Sequence, residues 1–114
     1  MANRIFLVLA FLATTLIACS GDDDTPPTFR VRNDRATDAS MQVKTSGGNT
    51  ININNVKPGV TTAYQGVAPG QVDITVDIQG ESGQYTASFV AAANQSFTVV
   101  VANTTPPTIS VVSP

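Results

Sequence analysis

Gln71-Val72-Asp73-Ile74-Thr75-Val76-Asp77-Ile78-Gln79 decides the fold class. Val72, Ile74, Val76 and Ile78 alternate strictly with polar residues. Side chains on a strand point to opposite faces with a period of two, so this stretch reads as a strand with one apolar and one solvated face. The same period recurs on both sides of it. Phe29 and Val31 alternate with Arg30 and Arg32, and Ala39, Met41 and Val43 with Ser40, Gln42 and Lys44. Ile51 and Ile53 alternate with Asn52 and Asn54. Val60, Thr62 and Tyr64 share one face of the next run. Tyr85, Ala87, Phe89 and Ala91 follow, then Phe97, Val99 and Val101, and Ile109 with Val111 closes the set. Val100 lies opposite Val99, as expected of a strand covered on both sides.

Turn residues separate the runs. Ser46-Gly47-Gly48-Asn49 reads as a hairpin loop, and Gly80-Glu81-Ser82-Gly83 joins two further strands. Pro58-Gly59 and Pro69-Gly70 suit type II turns, in which Pro fixes φ and Gly accepts a positive φ. Val56-Lys57-Pro58-Gly59-Val60 has an echo in Val67-Ala68-Pro69-Gly70-Gln71, consistent with similar turns at the two ends of a short strand. Two copies are too few for a solenoid. No helical period appears beyond residue 18. Seven to eight short strands predict an all-β chain, a small antiparallel β-sandwich of immunoglobulin-like or prealbumin-like type.

The amino terminus reads differently. Met1–Arg4 carries a positive charge, and Ile5–Ala18 is a continuous apolar run. As a helix it would span about 21 Å, short of the roughly 30 Å of a bilayer core, so it reads as a signal peptide. Leu16-Ile17-Ala18-Cys19 resembles the lipobox of bacterial lipoproteins. That resemblance implies cleavage before Cys19, attachment of a diacylglyceryl group to its thiol, and acylation of the new amino terminus. An ordinary leader would place small residues at −1 and −3, and Leu16 at −3 fits poorly. Several acyl chains make such an anchor effectively permanent, since each buried methylene contributes about 0.8 kcal/mol.

Ser20, Gly21, Asp22, Asp23 and Asp24 follow, then Thr25-Pro26-Pro27. Ser20 directly after the Cys resembles lipoproteins sent to the outer membrane. The acidic run of Asp22, Asp23 and Asp24 resembles a surface-export signal and also suits a solvated tether kept extended by its like charges. Consecutive Asp do not space their ligands as a calcium loop does. The expected organisation is therefore a signal peptide over 1–18, a lipidated Cys and tether over 19–27, and a β-sandwich domain over 28–114. The expected location is the bacterial cell envelope, anchored to the outer membrane and facing either the surface or the periplasm.

The domain also resembles a family of bacterial secreted and lipoprotein β-sandwich domains of uncharacterised function. The resemblance rests on Phe29-Arg30-Val31-Arg32-Asn33, Val56-x-Pro58-Gly59, Tyr64, Val67, Gly70 with the Val72–Ile78 strand, and Phe97-Thr98-Val99-Val100-Val101. It covers nearly all of the mature chain and departs from the pattern at Phe97, where the family often has Tyr. It implies a fold and no catalytic residues.

Composition narrows the chemistry. There is no His or Trp and a single Cys, which removes the common nucleophile–base pairs, zinc sites and intramolecular disulfides. Six Lys and Arg, one of them Arg4 in the leader, face eight Asp and Glu, a balance that argues against nucleic acid. Lys44 and Lys57 are expected to be solvated beside turns. Asp73 and Asp77 share a strand face about 13 Å apart, which suits solubility better than catalysis. Asp34 and Asp38 flank Arg35 in a loop and suit local turn bonds. Tyr64 and Tyr85 are expected in the core, with an aromatic ligand platform as the alternative. Arg30, Arg32 and Lys44 form a basic stripe if their strands pair. Asn94-Gln95-Ser96 and Asn103-Thr104-Thr105 match a glycosylation sequon by chance in a bacterial envelope protein.

The expected function is a non-catalytic binding or assembly module, held to the membrane by its lipid and facing another envelope protein or glycan. The alternative is a small-ligand or carbohydrate-capture lipoprotein. A third reading, a carboxylate-based hydrolase, would need Asp73, Asp77 or Glu81 beside a second acid. No cofactor or metal is expected.

Overall fold

The computed structural model describes residues 25–113, so the leader, Cys19, Ser20 and the acidic run lie outside the described residues. Eight strands follow one another: β1 Thr28–Asn33, β2 Ala39–Thr45, β3 Thr50–Val56, β4 Gln65–Gly66, β5 Gly70–Ile78, β6 Tyr85–Ala91, β7 Ser96–Val101 and β8 Ile109–Val112. They form two four-stranded sheets, ordered β4-β1-β7-β8 and β3-β2-β5-β6. The chain passes from one sheet to the other between β1 and β2, β3 and β4, β4 and β5, and β6 and β7. Every ladder is antiparallel except that between β1 and β7, which is parallel over its full length. Among the described residues the fold is all-β, a small β-sandwich, as the period-two pattern predicts.

The core is the sum of the inward faces. Phe29 and Val31 of β1, Val43 of β2, Val72 and Val76 of β5, and Val99 and Val101 of β7 are fully buried. Burying one such side chain contributes about 1.5–3 kcal/mol. Phe89 of β6 and Phe97 of β7 meet across the two sheets with ring centres 4.7 Å apart and a tilt of 48°, within the range of favourable offset contacts. β7 is buried on both faces: Thr98 and Val100 point away from the core yet are almost inaccessible. Their ladder neighbours Arg30 and Arg32 flank them on the outer face, with Arg30 Nε donating to Thr98 Oγ1 at 3.1 Å. Long arginine stems can shield apolar surface in this way while the charged head stays wet.

The Asn-rich run in β3 breaks the simple alternation with a bulge. Ala39 pairs with Val56, yet Met41 pairs with Ile53, so Asn54 and Asn55 together span one step. Asn55 takes the extra residue's left-handed conformation, φ 56°, and its N–H donates to Ser40 Oγ at 2.9 Å. Asn tolerates that conformation better than most L residues. The bulge returns Val56 to the buried face after Ile51 and Ile53, which a strict two-residue period would not do.

The run Val60, Thr62, Tyr64 does not form the regular strand its pattern predicts. Only Thr61 makes a ladder bridge, to Arg32, and the named strand that follows is just Gln65–Gly66. The segment still follows the edge of β1. Asn33 N–H donates to Val60 O, and Thr62 N–H donates to Val31 O. Val31 N–H is instead taken by the Thr62 hydroxyl at 3.0 Å. A side-chain acceptor standing in for a carbonyl breaks the ladder there. Val60 and Tyr64 are consequently exposed rather than packed.

The turns follow their residue chemistry. Val60 N–H donates to Lys57 O around Pro58-Gly59, where Gly59 has φ 75°. That is the type II geometry Pro-Gly predicts. The Ser46–Asn49 loop closes β2 to β3 through Thr45 N–H to Asn49 O. Pro69-Gly70 departs from the expected type II turn: Pro69 lies in a bend, and Gly70, at φ 113°, already pairs with Ala91 as β5 begins.

Candidate functional site

The two ends of the sandwich differ in chemistry. One end, where the chain enters, carries Thr25–Pro27, the β2–β3 loop, the segment before β5 and the β6–β7 loop. Thr25 is bound to Asn94: its N–H and hydroxyl both donate to Asn94 Oδ1, and Asn94 N–H donates back to Thr25 O. Pro27 is buried, and its carbonyl accepts from Val67 N–H at 2.9 Å. Thus the last residues of the expected tether are docked on the domain, and the first sequon's Asn94 serves a structural turn with φ 65°. β4 is only two residues long and leads directly into the segment 67–69. An apolar groove of about 480 Å³ lies between Ile51, Val67, Ala68 and Pro69, with Pro26 at its side and Thr45 and Asn49 at its rim.

The opposite end gathers most of the charge. Three ion pairs are present among the described residues, and all lie here: Arg32 with Asp34, Arg35 with Glu81 and Lys57 with Asp38. Arg35 binds three loops together. Its Nη1 donates to the carbonyls of Ala102 and Thr104, both at 3.0 Å, and its Nη2 to Glu81 at 3.3 Å. Beneath it, Asn33 is fully buried. Asn33 Nδ2 donates to Thr37 O and Val56 O, both at 2.8 Å, and its Oδ1 accepts from Arg35 N–H. Thr104 Oγ1 donates to Pro106 O and meets Thr108 Oγ1 at 3.0 Å, which fixes the β7–β8 loop. The exposed pairs are each worth a fraction of a kcal/mol. The Asn33 and Arg35 bonds reach the interior and hold the loops in a preformed arrangement.

Several candidate residues change their neighbourhood. Arg30 and Arg32 are on β1 and Lys44 is on β2, and those strands belong to different sheets, so the basic stripe does not form. Sequence pattern gives each strand's face but not its partner, which is why the pairing was open. Tyr64 is not in the core: it is exposed, with the Arg30 guanidinium 4.6 Å from its ring centre, a cation–π contact. Tyr85 packs against the core from β6, so the two tyrosines share no platform. Lys44 is exposed near the end of β2, just before the Ser46–Asn49 loop, and Lys57, beside the Pro58-Gly59 turn, is paired with Asp38.

The carboxylates are separated. Asp73 and Asp77 are exposed on the outer face of β5, and Glu81 is held by Arg35 in the β5–β6 loop. No group of three potential metal ligands occurs among the described residues. Asp73 accepts from Gln71 Nε2 at 3.1 Å and from Ser88 Oγ at 2.8 Å. These two bonds, Gln71 first, hold its carboxyl below the usual aspartate value. A lowered folded-state pKa stabilises the fold above the unfolded pKa, and that contribution fades as pH falls through the folded value. Ser88→Ala removes one donor. The Asp73 midpoint is expected to rise in an NMR titration, and an unmoved midpoint would show that Ser88 contributes nothing.

Sequence reading missed Arg35 as a tie between loops and missed the groove. Asp34 and Asp38 beside Arg35 pointed to local turn bonds, whereas its actual acceptors are 46 to 69 residues away. The Val67-Ala68-Pro69 segment reads in sequence only as the approach to a turn. No protein-family model matches the chain, and comparison with curated proteins gives no match either.

Proposed function

We propose that this chain is a lipid-anchored protein of the bacterial cell envelope, a non-catalytic module that binds or assembles with another envelope component. Leu16-Ile17-Ala18-Cys19 supports the anchor, and Ser20 with Asp22, Asp23 and Asp24 supports delivery to the outer membrane. One structural observation carries the binding role. The loop end opposite Thr25 is charged, exposed and cross-tied by Arg35. Loops ordered before contact lose little conformational entropy on binding, so they suit recognition.

Two measurements test the proposal. Cys19→Ser is expected to shift the protein from the membrane to the soluble fraction and to abolish lipid-dependent processing; normal membrane fractionation of this variant would remove the anchor from the account. Crosslinking and pull-down from solubilised envelopes is expected to recover a protein or glycan, with recovery reduced by Arg35→Ala. Recovery of neither would overturn the binding role. Protease shaving of intact cells assigns the side of the membrane.

A further inference from the structure

The chain-entry end of the sandwich is unusual in having no charge on its loops. The segments 46–49, 67–69 and 92–95, together with Thr25–Pro27, contain no Lys, Arg, Asp or Glu. The apolar groove opens at this end, with Ile51, Val67, Ala68 and Pro69 on its walls. The ion pairs sit at the other end. An apolar groove rimmed by uncharged loops marks a surface suited to contact with an apolar or interfacial phase.

We infer that the chain-entry end is a membrane-facing surface, with its groove seated in the headgroup region of the bilayer that holds Cys19. The inference rests on the anchor reading above. Cys19 lies six residues before Thr25, a reach of about 20 Å when fully extended. A tether this short holds the groove near the lipid at an effective concentration of millimolar order or more, so even a weak surface affinity fixes the orientation. The residues one step inward complete the pattern. Arg30 lies under Tyr64, and Lys44 lies in the row shared with Asp73. Arg30 and Tyr64 near the groove suit the depth of phosphates and the water interface, and Lys44 is offset by its exposed neighbour Asp73. The charged loop end then points away from the membrane.

Cysteine labelling tests this in the full lipid-modified protein, where the lipid-bearing Cys19 sulfur does not react. Ala68→Cys on the groove and Ser82→Cys on the opposite end are labelled with an environment-sensitive fluorophore. The proteins are then reconstituted in phosphatidylethanolamine–phosphatidylglycerol vesicles containing doxyl lipid. Quenching is expected to be at least threefold stronger at 68 than at 82. Asn49→Cys, on the exposed rim, repeats the measurement should the Ala68 variant fail to fold. Equal quenching at both ends, with the lipid on Cys19 verified by mass, overturns the inference and leaves the anchor standing. A protein whose mass shows no lipid overturns the anchor reading and the inference with it. A blue-shifted label at 68 that doxyl lipid does not quench means a second copy covers the groove, and this too overturns the inference.

Discussion

Phe29→Ala is expected to lower the stability of the domain by about 3–5 kcal/mol, the range for truncating a buried Phe to Ala. Phe29 is fully buried in β1 and is among the largest side chains in the core. β1 is sandwiched in its sheet between β4 and β7, so the surrounding backbone is held from both sides and has little freedom to collapse into the vacated space. A domain of this size has a total stability of roughly 5–10 kcal/mol, so the loss is a large share of the whole. The expected fall in Tm is roughly 15 °C or more, at about 4–8 °C per kcal/mol for a small domain. Phe29→Leu keeps most of the volume and is expected to cost much less. Urea denaturation followed by far-UV circular dichroism reads both variants, since the chain has no Trp. A loss below about 1 kcal/mol for the alanine variant would show that the site relaxes freely and that the core is not built as described.

Asn33→Ala is expected to cost about 1–3 kcal/mol by a different route. The side chain fills little volume, but it satisfies Thr37 O, Val56 O and Arg35 N–H at once. Only the bond to Val56 O is fully buried, and leaving that carbonyl unsatisfied costs about 1–3 kcal/mol; Thr37 O and Arg35 N–H are part-buried and recover most of their loss from water. Asn33→Asp separates bonding from packing. The carboxylate keeps the acceptor for Arg35 N–H but turns the donor to Val56 O into a second negative oxygen. The Asp variant is expected to be strongly destabilised at neutral pH and to regain stability in acid, where a protonated oxygen donates again. Its folded-state pKa is raised, so stability is present below the unfolded value and is lost as pH rises through the folded one. An Asp variant with a flat stability profile between pH 4 and 7 would show that the Nδ2 bonds contribute little.

What was legible in the sequence follows from which forces act locally. The strand at Val72–Ile78 was readable because each residue's face is set by the backbone alone. The double burial of β7 was readable because Val99 and Val100 place apolar groups on both faces. Residues 60–64 were not readable as irregular, because their break depends on the Thr62 hydroxyl replacing a carbonyl at Val31 N–H, a contact across 31 residues. The Arg35 tie and the placement of Arg30 and Lys44 on different sheets depend on strand order, which alternation does not encode. The groove likewise depends on segments 45–51 and 66–69 meeting at one end of the sandwich, which alternation does not encode.

The parallel pairing of β1 with β7 has a consequence for how the chain reaches its final form. The Arg30–Thr98 contact joins residues 68 positions apart, and β8 must still be added beside β7. A polypeptide made amino terminus first exposes β1 long before its central neighbour β7 has emerged. Non-local pairing of this kind forms late and slowly. One whole layer is therefore complete only once almost the entire chain is present, and the apolar face that holds Phe29 and Val31 closes last.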